Sequence, residues 1–516
     1  MTGRTIATRL ADHPDTARAI GAPGRDWLTF GALRTLAGET RVGLRAAGVG
    51  PDDRVAIVLP NGPEMAAAFV TIAQSAVTAP LNPAYREDEF AFYLEDLGAK
   101  ALIVGANDAG PAVDAARRLS IALLRLEVDE GTPAGAFTLV ADASVTPVPE
   151  GDPPGPDAVA LILHTSGTTS RPKIVPLTQA NLAASAGHIA ASLALTPDDR
   201  CLNVMPLFHI HGLIAAVLSS LSAGAAVWCA PGFDALRFFG WLKDAHPTWY
   251  TAVPTMHQAI LARAPRNAEI VEAAKLRLIR SSSASLPGPV MEKLAATFGA
   301  PVIESYGMTE AAHQMASNPL PPRAQKPGLV GLPAGPVVRL AHETEDRLLP
   351  ETGDAVGEVA ISGPNVTPGY ENNPDANAKN FFDADGKRWF RTGDQGTFDA
   401  EGYLQLTGRL KEIINRGGEK VSPLEVDGVL AAHPAIAQAV TFALPHPKLG
   451  EDVAAAIVLR EGETATERDI RDFAAERLAD FKVPRKVVIV EEIPKGATGK
   501  LQRIGLAEKL GLAEAV

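Results

Sequence analysis

A chain of 516 residues is too long to fold around one hydrophobic core, so two or more domains are expected. With 46% hydrophobic and 21% charged residues it has the composition of a globular protein, and its net charge of −12 argues against nucleic acid or an anionic membrane as a main partner. A cationic pocket for a small anion remains compatible with that charge. Cys201 and Cys229 allow one disulfide at most, which fits a reducing, cytoplasmic setting. Residues 1–12 have no signal-peptide run, and residues 513–516 match no lipidation or peroxisomal signal. The most apolar stretch, 213–230, is broken by Ser219, Ser220, Ser222 and Gly224, and reads as a buried helix followed by a strand. A soluble protein is expected. Its 41 prolines and 46 glycines are spread along the chain and mark turns, with no disordered tract.

Residues 29–104 alternate between helical and strand spacing. Helices are predicted at 30–47, 64–74 and 88–97, and strands at 54–59, 76–81 and 101–104. Such alternation predicts an α/β fold with largely parallel sheets. No Gly-x-Gly-x-x-Gly follows an early strand, so a dinucleotide-binding site has no support. The apolar run 158–163 reads as a buried strand, and it ends in His164-Thr165-Ser166-Gly167-Thr168-Thr169-Ser170-Arg171-Pro172-Lys173. Hydroxyl donors, a close-approach glycine and two cations suit a polyphosphate. The spacing is not that of a Walker loop. Taken alone, the stretch is equally well a solvated Ser/Thr turn.

A helix at 179–195 and a strand at 201–207 lead to Phe208-His209-Ile210-His211-Gly212. Zinc would need a Cys, Asp or Glu cluster nearby, and none stands there, so pocket-wall imidazoles are the commoner explanation. Strands at 249–253 and 276–280 follow, the second running into Ser281-Ser282-Ser283-Ala284-Ser285. A strand at 301–304 runs into Ser305-Tyr306-Gly307-Met308-Thr309-Glu310. In open α/β sheets ligands collect at the carboxyl ends of strands, which makes these three loops candidates for one site. Tyr306 could stack on a base, Thr309 donate to a phosphate and Glu310 hold Mg²⁺; an aromatic residue before glycine is also an ordinary packed turn.

Residues 319–336 are rich in Pro and Gly and read as loop. Residues 358–406 are β-rich, with Arg391-Thr392-Gly393-Asp394 expected between strands. Asp394 would suit two ribose hydroxyls, or be part of a plain turn. The character changes at Gly408-Arg409-Leu410-Lys411, where a boundary is placed between 1–408 and 409–516. Beyond it a small α/β unit is expected, with helices at 423–432 and 467–478 and strands at 437–444, 453–459 and 486–490. The glycines of Pro494-Lys495-Gly496-Ala497-Thr498-Gly499-Lys500 put Lys500 on a loop, where a lysine by itself is a solubilising charge.

In their order and over most of the chain, the stretches at 165–173, 306–310, 392–394, 408–411 and 494–500 resemble the acyl-adenylate-forming enzymes, which include acyl-CoA synthetases, adenylation domains and firefly luciferase. Residues 164–179, 206–213, 248–255, 281–286 and 414–427 look like the subgroup that joins oxalate to CoA. The resemblance implies an AMP-forming acid–thiol ligase with ATP, Mg²⁺ and CoA as ligands. Its large N-terminal domain would hold ATP and the acid, and a small mobile C-terminal domain would carry the hinge and catalytic lysine. It assigns Thr165, Ser166, Gly167, Thr168, Thr169 and Lys173 to the β- and γ-phosphates, with Thr165 and Glu310 at the metal. Nucleotide contacts would come from Ser283, Ala284, Ser285, Glu304, Ser305, Tyr306, Gly307 and Met308, with Tyr306 on the adenine, Thr309 at the α-phosphate, and Asp394 and Arg409 at the ribose. Lys500 would bridge the attacking carboxylate and the α-phosphate, Lys411 would be the hinge, and Gly418 would line the pantetheine tunnel. His209 would be catalytic and, with His211, Ser281, Ser283 and His313, surround the acid.

Two positions depart from the broad family, where glycine is usual: Ser170 looks like the oxalate subgroup, and Ile174, which follows the phosphate-gripping residues, is expected to alter loop packing without loss of activity. A small pocket rich in donors suits oxalate, whose second carboxylate must be paired or hydrogen-bonded. A fatty-acid enzyme would need an apolar tunnel. Malonate, a medium-chain acid or a 4-coumarate-type aryl acid remains possible. A carrier-loading adenylation domain is disfavoured because the sequence ends at 516, soon after Lys500. A catalytically silent nucleotide-binding regulator is disfavoured by Glu310, Asp394, Arg409 and Lys500 together. A monomer or homodimer is expected.

Overall fold

The computed structural model describes residues 4–165, 172–351, 355–494 and 502–512. The fold is α/β, with a large N-terminal domain and a small C-terminal one. The first sheet has seven strands in the order Thr138–Ala141, Ala122–Glu127, Ala101–Gly105, Arg54–Val58, Val77–Pro80, Val159–Thr165 and Lys173–Thr178. Its inner pairs are parallel and its two edge pairs antiparallel. The second sheet has nine strands, in the order Leu332–Pro333, His313–Ser317, Val302–Met308, Leu278–Ser281, Trp249–Ala252, Arg200–Asn203, Ala226–Cys229, Arg18–Ala22 and Arg25–Thr29. From Val302–Met308 to Arg18–Ala22 its pairs run parallel.

Both sheets share one core. The helix Pro63–Ile72 opens with proline at its first turn and buries every residue but Glu64; the π-helix His211–Leu218 buries all of its residues. A helix apolar all round belongs in the interior, and both pack into the cluster that contains Val55, Ile57, Leu161, Val227 and Leu278. The stretch 213–230 is thus helix then strand, as expected, and among the described residues no helix is long and apolar enough to cross a membrane.

An antiparallel third sheet joins Val337–Ala341, Gly357–Ser362, Lys387–Phe398, Phe381–Ala384 and Leu404–Arg409. The small domain follows, its core beginning at Ile414 where that of the large domain ends at Leu404. In the strand Gly450–Leu459 the alternation is two-sided. Val453, Ala455 and Ile457 pack with Val426 and Leu430 of the helix Pro423–Ala431 and Ile470 of Glu467–Ala475, while Ala454 and Ala456 face Phe442, Ile493 and Leu506.

Several elements differ from their sequence reading. Ser305 to Met308 are not a loop after a strand: they continue Val302–Met308, because Tyr306 and Gly307 pair across an antiparallel bulge with Ala316 and Gln314. Arg391 to Asp394 lie inside the single strand Lys387–Phe398, which tolerates Gly393 at φ +77°. The strand expected at 201–207 is confined to Arg200–Asn203, since Asn203 turns back to accept the Met205 N–H. The amino-terminal pair Arg18–Ala22 and Arg25–Thr29 has no counterpart in the sequence reading.

Candidate active site

The Ser/Thr stretch joins two paired strands. Thr165 closes one, Lys173 opens the next, and the two residues are antiparallel partners. Ser166, Gly167, Thr168, Thr169, Ser170 and Arg171 lie outside the described residues. At the base of the stretch, His164 Nε2 is 3.1 Å from Asp96 Oδ2, and its ring meets that of Tyr93 edge to face at 4.8 Å.

Glu310 is buried in the 3₁₀ turn Thr309–Ala311, where Tyr370 donates its hydroxyl to Oε1 at 2.8 Å. Lys173 Nζ stands 4.2 Å above the Tyr370 ring. Burial lifts the Glu310 carboxyl above its ordinary range, while the Tyr370 hydrogen bond and the charges of Lys173 and Arg409 pull it back. Burial lowers Lys173; Glu310 opposes this, and the positive charges of Lys411 and Lys379 reinforce it. Three lysines therefore share one neighbourhood with one buried carboxylate. A buried carboxylate regains stability when a hard cation binds it. Among the described residues no three His, Cys, Asp or Glu side chains cluster to hold a metal unaided, so Mg²⁺ at Glu310 fits only as an ion shared with phosphate oxygens.

A second group of residues lies where the third sheet meets the strand Val302–Met308. Asp394 and Arg409 are antiparallel partners, with Arg409 Nε 3.5 Å from Asp394 Oδ1. The other oxygen of Asp394 accepts the Tyr306 hydroxyl in a short hydrogen bond. Gly307 is required for close approach, because a Cβ there would lie 1.9 Å from the His313 carbonyl oxygen. Thr309 and Met308 are half-buried, and Ala284 and Ser285 are exposed. Ser305 donates to the Ser281 carbonyl at 3.3 Å, which ties the two loop-bearing strands together. Glu304 is buried: Oε1 accepts the Leu286 N–H at 2.8 Å, Oε2 has no partner, and burial pushes the carboxyl up to about 8.

The predicted acid site converges on one residue that has no motif of its own. Arg280, in the strand Leu278–Ser281, is fully buried. Its guanidinium lies 3.4 Å from His211 Nε2, 3.5 Å from His313 Nδ1 and 3.4 Å from Gln314 Oε1, and burial lowers it to about 9. An arginine only donates, so the imidazole nitrogens facing it are acceptors. Thr251 Oγ1 is also 2.6 Å from His211 Nε2. The His211 proton is thereby assigned to Nδ1, which donates to Ser283 Oγ at 3.0 Å. Burial, then His313 and Arg280, hold His211 well below its ordinary range, so the ring is neutral at pH 7. Ser283 accepts from His211 and keeps its own proton to donate. It is half-buried at the end of a parallel strand, in a left-handed conformation (φ +74°) uncommon for serine. His313 also has positive φ (+103°), its ring 5.1 Å from that of His211. Ser281 Oγ is buried without a partner, and His209 is half-buried, its ring 5.7 Å from that of Phe208.

The structure thus brings His211, Ser283 and His313 together around Arg280, and Glu310 with Lys173. Lys411 acts electrostatically on Lys173, while Gly418 sits in an exposed turn of the small domain, its N–H donating to Asn415 Oδ1 at 3.1 Å. Lys500 lies outside the described residues. Arg280, Thr251, Gln314 and Tyr370 were absent from the sequence reading. The available signal was an arginine following the apolar pair Leu278-Ile279 and leading directly into a run of serines.

The family model for AMP-binding enzymes matches residues 6–371, and that for the AMP-binding enzyme C-terminal domain matches 425–500. An oxalate–CoA ligase of Arabidopsis thaliana is 47% identical, with 96% of each chain covered. One from Saccharomyces cerevisiae is 43% identical, over 88% of this chain and 86% of its own. Among solved structures, ATP-bound MatB from Rhodopseudomonas palustris is similar with a TM-score of 0.84 at 28% identity, covering 99% of both chains. The chain belongs to the AMP-binding enzyme family.

Proposed function

We propose that this AMP-forming acid–thiol ligase converts oxalate, ATP and CoA to oxalyl-CoA, AMP and diphosphate through oxalyl adenylate. The observation that carries the substrate is the cluster in which two imidazoles and a serine donor are backed by a buried arginine, with no apolar tunnel needed for a two-carbon acid. The named activity of the two curated relatives supports the same choice.

In the first half-reaction one carboxylate oxygen attacks the α-phosphorus and diphosphate leaves. Two anions must meet, so the chain supplies positive charge and oriented donors. Lys173, with the hydroxyl-rich stretch beside it, faces the β- and γ-phosphates, and Thr309 donates at the α-phosphate. Asp394, steadied by Tyr306 and Arg409, receives the ribose hydroxyls. Glu310 and Thr165 would hold Mg²⁺, which when bound neutralises the phosphate oxygens. Ser283 and the histidines orient the acid. Lys500 would reach the attacking oxygen in this step. In the second, the CoA thiol attacks the acyl carbon and AMP leaves; rotation of the small domain about Lys411, within a boundary near 408–409, would withdraw Lys500 and present Gly418 to the pantetheine.

The test is diphosphate release with Mg-ATP and CoA across oxalate, malonate, acetate, octanoate and 4-coumarate. Release with oxalate far above the others is expected. Release with octanoate or 4-coumarate alone would keep the chemistry and reject the substrate, whereas silence on every acid would reject the ligase reading.

A further inference from the structure

Arg280 is a cation with nothing to neutralise it. Among the described residues no carboxylate pairs with its guanidinium, and its Nε has no hydrogen-bond partner at all. Burying an unpaired charge is costly, and folds avoid it unless something repays the desolvation. The three acceptors that surround it are neutral groups at 3.4–3.5 Å, long for charge-assisted bonds. They are nevertheless purpose-built. Gln314 presents its amide oxygen to Arg280 because its nitrogen is committed to Ser192 Oγ and the Ala334 carbonyl, both at 2.9 Å. Thr251 and Arg280 together fix His211 by its Nε2. The guanidinium lies one imidazole away from the half-buried Ser283.

We propose that Arg280 is a positioning and specificity-determining residue, whose unpaired charge behind His211 and His313 makes the pocket complete only for an acid that carries a second carboxylate. This rests on the reading of the protein as an oxalate ligase and names the part of the site that rejects monocarboxylates. It acts in two ways. The positive charge attracts the distal carboxylate through the rings, in a medium where charges are weakly screened. It also keeps the two imidazoles in the tautomers whose N–H groups lie on the side of each ring away from Arg280; that of His211 is donated to Ser283, which leaves the serine proton for an anion. A monocarboxylate leaves that charge unanswered.

The experiment compares the wild type with Arg280→Met and Arg280→Lys. Diphosphate release gives kcat and KM for oxalate, glycolate and ATP, and thermal melts with AMP are taken with and without oxalate. Wild type should favour oxalate over glycolate by about 100-fold or more in kcat/KM, the scale expected for a desolvated charge partner. In Arg280→Met the KM for oxalate should rise by about 100-fold with little change in the KM for ATP, the preference over glycolate should collapse, and the melting shift induced by oxalate should vanish. Its melt without oxalate should equal or exceed that of wild type, because methionine removes an uncompensated buried charge. Arg280→Lys, which keeps the charge, should recover most of the selectivity. A folded Arg280→Met enzyme that keeps the wild-type oxalate KM and selectivity would overturn the inference while leaving the ligase reading intact. If Arg280→Met does not fold, the wild-type comparison still decides, since equal affinity for oxalate and glycolate would overturn it. Wild-type protein that never releases diphosphate with oxalate would overturn the proposed function itself.

Discussion

The Tyr306 hydroxyl donates to Asp394, so the ring expected to lie on the adenine is also the anchor of the carboxylate expected to hold the ribose. The two residues come from different sheets, and Arg409 steadies the same carboxylate from the neighbouring strand. Tyr306→Phe keeps the ring and removes the donor. A hydrogen bond to a charged group contributes about 1.5–3 kcal/mol, so the KM for ATP should rise by about 10-fold or more with the melting temperature little changed. ATP–diphosphate exchange measures this directly. An unchanged KM would mean that the bond has no part in holding Asp394 for the nucleotide.

Tyr370 makes a second such prediction. Its hydroxyl holds Glu310 while its ring carries Lys173, linking a metal-binding candidate to a phosphate-binding one. Tyr370→Phe should leave the cation–ring contact and free the carboxylate. Groups that orient a metal ligand are typically worth about 10–100-fold, and the free Mg²⁺ needed for half-maximal rate should rise within that range. A titration of rate against free Mg²⁺ at saturating ATP tests it. The same half-maximal Mg²⁺ in both proteins would remove Tyr370 from the metal site.

Periodicity exposed the alternating elements of 29–104 and of the small domain, whose strands and helices have ordinary spacing, but not helices such as Phe238–Ala245, Pro254–Arg263 and Gly288–Phe298. The stretch at 164–173 was legible as a polar segment closing a buried strand, though the strand Lys173–Thr178 after it was not, and the serines after Leu278–Ser281 were legible because ligands gather at strand ends. Three things were not legible. Tyr306 and Asp394 lie in strands, not loops, because a bulged pairing carries Val302–Met308 through a glycine and Lys387–Phe398 runs through another. Tyr370 meets Glu310 across 60 positions of sequence, and no local pattern records that contact. Arg280 shares the strand read at 276–280 with Arg277, and nothing local tells the two apart; only the fold pairs Arg277 with Asp199 and buries Arg280 against two histidines that arrive from separate elements.

Lys500 separates the two half-reactions. If it bridges the attacking carboxylate and the α-phosphate, Lys500→Ala should lose adenylate formation by about 100-fold or more, as expected when a charge acting in the transition state is removed, while still binding ATP. Supplied with chemically made oxalyl adenylate, the same variant should transfer the acyl group to CoA at nearly the wild-type rate. Calorimetric ATP binding and a thiol-consumption assay give the two readouts. Equal loss in both half-reactions would contradict the division of labour.

Glu304 ties stability to pH through a single buried carboxyl. Burial raises it to about 8 in the folded protein, against an ordinary value of 4.5. Between those values the folded state keeps the proton and the unfolded state has lost it, so stability falls as pH rises. The contribution is fully present below about 4.5 and gone above about 8. Glu304→Gln keeps an oxygen for the Leu286 N–H and cannot ionise. Its melting temperature relative to wild type should therefore climb steadily from pH 5 to pH 9, with most of the gain between pH 6 and pH 8. Thermal melts in buffers of matched ionic strength provide the comparison. A difference that stays flat across this range would show that Glu304 is ionised in the folded protein, and that its buried Oε2 finds a partner in solution.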